Sequence, residues 1–279
     1  MSVTPFKLPI IPHLKKQAFI SFYERGLRAD GRSIHSHRNV TIKTGVLDKA
    51  EGSAHVSLGN TQVLVGVKVD VGQPFRDTPN QGVLVVHAEN VPLASPIFEP
   101  GPPDENAIEL ARVIDRSLRE VKAVDLESLV IRAGEKVWNL WVDVYVLDHD
   151  GNLFDASMLA TMAALATTKL PDYEETETGE IVLKRDVKSK PLKINYKVVS
   201  VTIAKIGNYL VVDPTFEEEV ISDYRLVLSF DENLRVVGAQ KTGGGGMKIS
   251  EFREALKIGR STAQSYFKAL EQALATQVS

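Results

Sequence analysis

Arg112, Arg116 and Arg119 recur four and three residues apart within the segment 104–122, a spacing that stacks them on one face of a helix. Stacked guanidinium groups offer planar forks of donors that suit phosphate oxygens. Glu105, Glu109 and Glu120 stand at helical spacing from them, so periodicity alone favours a solvated face laced with ion pairs. Asp213 with Glu217, Glu218 and Glu219 forms an acidic patch that could supply a general acid or hold Mg²⁺, although a solvated loop is the simpler reading. The glycine run 243–246 precedes a helical pattern and could cradle a phosphate. It continues as Met247-Lys248 and not as Gly-Lys-Ser/Thr, which favours a flexible turn. Gly151-Asn152 is a second helix entrance of the kind that attracts anions, but Leu153 and Phe154 behind it bring no hydrogen-bonding side chain. His13, His35, His37, His55, His87 and His149 contain no His-Glu-x-x-His pattern, and His35-Ser-His37 reads as a surface loop before it reads as a metal site. No nucleophile elbow with a Ser/His/Asp set is present.

The elements that must position these residues follow from hydrophobic period and turn chemistry. The spacing predicts an amphipathic helix over 12–26, with Leu14, Ala18 and Phe22 inward and Gly26 as its stop. Valine-rich strands follow at 55–70, hinged at Gly59-Asn60, and at 82–91. Asp104 sits where a helix N-cap belongs, and Ala107, Ala111, Ile114, Leu118 and Val121 recur at helical steps. A strand over 136–148 alternates Trp138, Leu140, Val142, Val144 and Val146, and a second helix runs from Leu153 to Leu170. The charged stretch 172–190 reads as an exposed hairpin or loop dividing the chain. After Pro191 strands recur and lead, past the glycines, into a helix at about 250–276. The repeated order of strands then helix indicates an α+β fold of two similar halves. The expected division is an N-terminal helical extension at 1–27, a first domain at 28–190 and a second at 191–279.

Bulk properties bound the possibilities. The 279 residues are 43% hydrophobic and 25% charged, an ordinary globular balance. With 33 Lys+Arg against 36 Asp+Glu, the net charge of −3 argues against nonspecific coating of nucleic acid but leaves room for a local basic groove. There is no cysteine, which excludes disulfides, thiolate metal sites and a cysteine nucleophile. No apolar run approaches the roughly 20 residues of a membrane span. The N-terminus, broken by three prolines, does not read as a signal peptide. A soluble, cytoplasmic protein with no membrane partner and no cofactor is expected.

Arg28-Ala-Asp-Gly-Arg32, Glu51-Gly-Ser-Ala54 with the following LGNTQVLVGV, and Val212-Asp213-Pro214 with its acidic tail resemble the RNase PH family. The segment 98–119, FEPGPPDENAIELARVIDRSLR, is the most specific match and resembles the catalytically silent RNase PH-type subunits of archaeal exosomes. The resemblance runs from about residue 20 to about residue 275. It implies two halves of the ribosomal-protein-S5-domain-2-like type, the RNase PH fold. It implies partners too: an active RNase PH-type subunit, three of each alternating in a hexameric ring, with RNA-binding cap subunits and single-stranded RNA. The reaction of such a ring is phosphate-dependent removal of nucleotides from RNA 3′ ends.

Active members of the family carry two arginines at the start of the helix where this chain has Glu105 and Asn106, and Thr or Ser followed by Arg where it has Leu153 and Phe154. Of the two family acids six residues apart, Asp213 is kept and the second is Glu219 in place of Asp. Phosphorolysis brings two anions together, and losing one preorganised donor at an oxyanion costs on the order of 10²–10³ in rate. The resemblance therefore implies no catalytic residue here. It assigns RNA contact to Arg112 and Arg116, with Arg119 as companion. A self-sufficient phosphorolytic exoribonuclease using Asp213 is the competing reading. A small-molecule kinase using the glycines 243–246 is a more distant one.

Overall fold

The computed structural model describes residues 12–177 and 180–276. Residues 1–11 of the N-terminal extension expected over 1–27, and the side chains of His13 and Leu14, lie outside the described residues. Helix α1 (Pro12–Glu24) is followed by the antiparallel strands β1 (Val40–Thr44), β2 (Gly52–Leu58) and β3 (Thr61–Gly72). The β2–β3 hairpin turns at Gly59-Asn60, where Gly59 has φ of 59°, the left-handed region that such turns require. Strands β4 (Val83–Asn90), β5 (Val130–Arg132) and β6 (Lys136–Asp148) complete a six-stranded sheet, with helix α2 (Glu105–Glu120) between β4 and β5 along the chain. Its order is β1-β2-β3-β6-β4 with β5 paired to β6, and β6 runs antiparallel to β3 but parallel to β4. Trp138, Leu140, Val142, Val144 and Val146 all face the core, as the alternation predicts.

Helix α3 (Leu153–Thr167) buries nearly every side chain from Phe154 to Leu165. Such a helix shows no amphipathic stripe because it has apolar neighbours all round. It packs against β2 and β3 on one side and against the second sheet on the other. That sheet is four-stranded, in the order β10-β9-β11-β12, from β9 (Val198–Ile206), β10 (Tyr209–Val212), β11 (Tyr224–Asp231) and β12 (Val236–Thr242). Helix α4 (Phe216–Ile221) lies between β10 and β11, and helix α5 (Ile249–Thr276) ends the described chain. Between the halves, β7 (Lys169–Glu175) and β8 (Ile181–Pro191) form a two-stranded hairpin.

Two expectations are corrected. The helix predicted to reach Leu170 stops at Thr167, because the Thr168 N–H and hydroxyl turn back onto the carbonyls of Leu165 and Ala164 and Pro171 follows. In α1 the inward residues are Phe19 and Tyr23, packed on Ala204, Ile206, Val211 and Ile221, while Ala18 is exposed and Phe22 is 40% exposed. Tyr23 sets this rotation: its hydroxyl donates to buried Glu218 at 2.9 Å, a partner that the helix's own period does not reveal.

Candidate functional site

Helix α2 begins where Asp104 accepts a hydrogen bond from the Ala107 N–H at 2.9 Å. It buries Ala107, Leu110, Ala111, Ile114 and Leu118, which turns Arg112 and Arg116 into solvent. Among the described residues neither arginine forms an ion pair or side-chain hydrogen bond. The ion-paired face that periodicity favours does not form around them: Glu109 accepts from Gln240 at 2.9 Å instead. Arg119 differs. It is paired with Asp115 at 2.7 Å, donates to the Leu84 carbonyl at 2.9 Å, and lines a separate groove of about 830 Å³ with Phe75, Leu84 and Leu126.

At the start of α2 lies a cavity of about 550 Å³ that brings together Glu105, Asn106, Leu153 and Phe154, the four positions singled out in the sequence. Phe98, His149, Phe216, Glu219 and Arg225 complete much of its wall. His149 stacks on Phe98 with ring centroids 5.3 Å apart, and Phe216 meets it edge-on at 5.2 Å. Burial lowers the His149 pKa and favours the neutral ring. Arg225, the one arginine or lysine in the lining, is paired with Glu219 at 2.8 Å. The same Glu219 oxygen accepts the Asn152 N–H at 3.0 Å. A carboxylate of the protein thus occupies the entrance of α3, where a backbone donor and a guanidinium converge. Glu105 adds negative charge to this pocket, and Leu153 and Phe154 add apolar surface.

Asp213 does not line that cavity. It is fully buried in the left-handed conformation (φ 49°). It accepts from Arg32 at 2.9 Å, from the Arg38 backbone N–H and side chain at 2.7–3.0 Å, and from Asn152 at 2.7 Å. Burial works to raise its pKa, but the hydrogen bonds and charge of Arg38 outweigh it and hold the carboxyl below its usual range. A carboxylate held ionised in this way is a poor proton donor. The rest of the acidic patch is dispersed. Glu217 meets Lys15, Glu218 pairs with buried Arg28 and closes the capping box of α4 with Thr215, and Glu219 enters the cavity. No group of His, Asp or Glu among the described residues has the arrangement of a metal site. The glycine run is tied down through Gly245, whose N–H donates to the Asp223 carbonyl at 3.0 Å. His37 is held by Ser265 and the Arg38 carbonyl.

Sequence reasoning did not place Arg225, His149 or Phe98 at this site. The available signal for Arg225 was a lone arginine inside the apolar run of β11. For the other two there was none, because their meeting depends on tertiary structure.

The 3′ exoribonuclease family, domain 1, matches residues 36–171, and domain 2 of the same family matches residues 197–262. The chain belongs to the RNase PH family of 3′ exoribonucleases and has its two-domain α/β fold. It is 61% identical over 274 residues to the exosome complex component Rrp42 of Aeropyrum pernix, covering 98% of this chain and 99% of that protein. Its identity to the Rrp42 of Saccharolobus solfataricus is 48% over 274 residues, again covering 98% of this chain and 99% of that protein. Among solved structures, a chain of the Archaeoglobus fulgidus exosome with RNA bound to the active site superposes with a TM-score of 0.83 at 47% identity, covering 93% of this chain and 99% of that one. A chain of an archaeal exosome core gives 0.80 at 42% identity, covering 94% and 98%. Rice Rrp46, at 18% identity and 0.69, shares the fold.

Proposed function

We propose that the chain is a non-catalytic, RNA-gripping subunit of an exosome. In this reading it alternates with an active RNase PH-type subunit, three of each, in a ring that degrades RNA from the 3′ end with phosphate. RNA-binding cap subunits cover the ring, single-stranded RNA passes through it, and the assembly works in the cytoplasm. The organisation is an N-terminal extension at 1–27 and domains at 28–190 and 191–279. The naming of close relatives as exosome components supports membership of the assembly. One observation carries the absence of chemistry: the cavity at the head of α2 has its guanidinium and helix-entry donor already taken by Glu219, with Glu105 beside them. No cation is left there for phosphate, and Asp213 is sealed behind Arg32 and Arg38. Arg112 and Arg116, exposed and unpaired among the described residues, are the groups that hold RNA phosphates. Arg119 contributes less, because it already holds Asp115 and the Leu84 carbonyl.

The test is the charge reversal Arg112→Glu/Arg116→Glu in complex with the active-type relative. RNA affinity falls, and the dependence of log K on log salt becomes shallower by about 1.4, the share of two phosphate contacts on a single strand. Wild-type affinity, salt slope and turnover in that variant would remove RNA gripping from this face.

A further inference from the structure

The unpaired arginines of this chain are not scattered evenly. Arg28, Arg32, Arg38, Arg119, Arg132, Arg185, Arg225 and Arg235 all have carboxylate partners. Among the described residues Arg25, Arg76, Arg112, Arg116, Arg253 and Arg260 have none, and the last four fall as two pairs, each aligned on one face of a helix. The first pair belongs to α2. The second lies on α5, where Lys257 stands between Arg253 and Arg260 at i+4 and i+7 from the first arginine. All three are exposed, because α5 turns Ala255, Gly259, Ala263 and Tyr266 into the core.

These cations line a surface groove of about 440 Å³ together with Ser261, Gln264 and Leu234, and no carboxylate lines it. One wall is rigid. Leu234 has φ of 59°, in a turn that Asp231 fixes by accepting from the N–H groups of Asn233 and Arg235 and from the Arg235 side chain at 2.6–3.0 Å. Three cations span about 10 Å along a helix at a rise of about 1.5 Å per residue. That is a row of positive charge long enough for successive phosphates of one strand. Ser261 and Gln264 add neutral donors suited to phosphate or sugar oxygens, and the groove shows no aromatic platform for bases.

We infer that the Arg253–Lys257–Arg260 groove is a second binding track for the sugar-phosphate backbone of single-stranded RNA, separate from the Arg112/Arg116 face. The inference rests on the proposed RNA role and names a further surface for it. Such a track holds RNA without sequence preference, and its strength falls with salt.

The test uses the full chain with RNA carrying photoreactive uridines, and the variant Arg253→Glu/Lys257→Glu/Arg260→Glu beside Arg112→Glu/Arg116→Glu. In the wild type, crosslinks map to the α5 peptide as well as to the α2 peptide. The α5 variant loses the first set alone, and its salt slope becomes shallower by about 2, the share of three contacts on a single strand. The exposed positions keep folding intact, which circular dichroism checks; Arg→Gln/Lys→Gln substitutions repeat the comparison if charge reversal unfolds the chain. Crosslinks confined to α2, with unchanged affinity and slope in the α5 variant, overturn the track and leave the α2 role standing. Loss of binding to another exosome subunit with RNA binding intact also overturns it, by making the groove a protein contact. No crosslink at either helix sinks both.

Discussion

Asp213 and Asp155 lie on either side of Asn152, whose side-chain amide donates to both, at 2.7 and 2.8 Å. Their surroundings drive them apart. Asp213 is enclosed by guanidinium groups and held ionised, so the stability it contributes is present above the ordinary Asp range and is lost as pH falls below it. Asp155 is fully buried, and its side-chain partners are Asn152, Thr202 and Tyr266, all neutral. Burial pushes its pKa up to about 7, the hydrogen bonds of Asn152 and Thr202 opposing and the charge of Asp213 adding. The folded state therefore binds a proton that the unfolded chain has released, and stability falls as pH rises from about 4 towards about 7. Asp155→Asn keeps the network: a carbonyl oxygen can accept the three bonds now made to Oδ2, and the amide can donate to the Thr202 hydroxyl. Urea midpoints measured across that pH window should slope in the wild type by more than in Asp155→Asn. Parallel slopes would mean that Asp155 is ionised throughout. None of this is legible in the sequence, where Asp155 is the one charged residue of an otherwise mostly apolar helix and the acids at 213–219 look alike.

At the scale of elements, strands and caps were the most legible. The β2–β3 turn, the Asp104 cap and the alternation of β6 each depend on neighbours a few residues away, so local sequence carries them. The face of α1 depends on a contact from far along the chain, Glu218, whereas α3 ends where Thr168 turns back onto the Leu165 and Ala164 carbonyls. The turn into α3 joins both kinds. Gly151 has φ of 86°, and a Cβ there would stand 2.4 Å from the backbone of Thr215 and Phe216. Gly151→Ala should therefore cost about 2 kcal/mol or more, since strain and a backbone clash add. Gly246, with open space around it, should lose nothing as Gly246→Ala. Equal denaturation midpoints for the two variants would show that α4 does not press on this turn.

For the whole molecule, the halves predicted from repeated element order are present as two sheets with α3 packed against both. The four positions at 105, 106, 153 and 154 were legible as one site only through family resemblance, since no local pattern joins residues almost fifty apart. The proposed role gives a direct expectation. The chain alone, with RNA and inorganic phosphate, releases no nucleoside diphosphate above background, and addition of the active-type relative brings release. Turnover by the lone chain at an ordinary enzyme rate would reverse the assignment. The Glu219 contact also bears on the history of such a subunit. In the proposed role, a negative group lodged on a guanidinium and a helix-entry donor acts as a ratchet: an arginine introduced at position 105 or 106 would enter a cavity whose wall already carries Glu219 as a rival anion. Under the proposed role, recovery of catalysis would have to begin by evicting that tenant, a step that brings no advantage while positions 105, 106, 153 and 154 carry no cation.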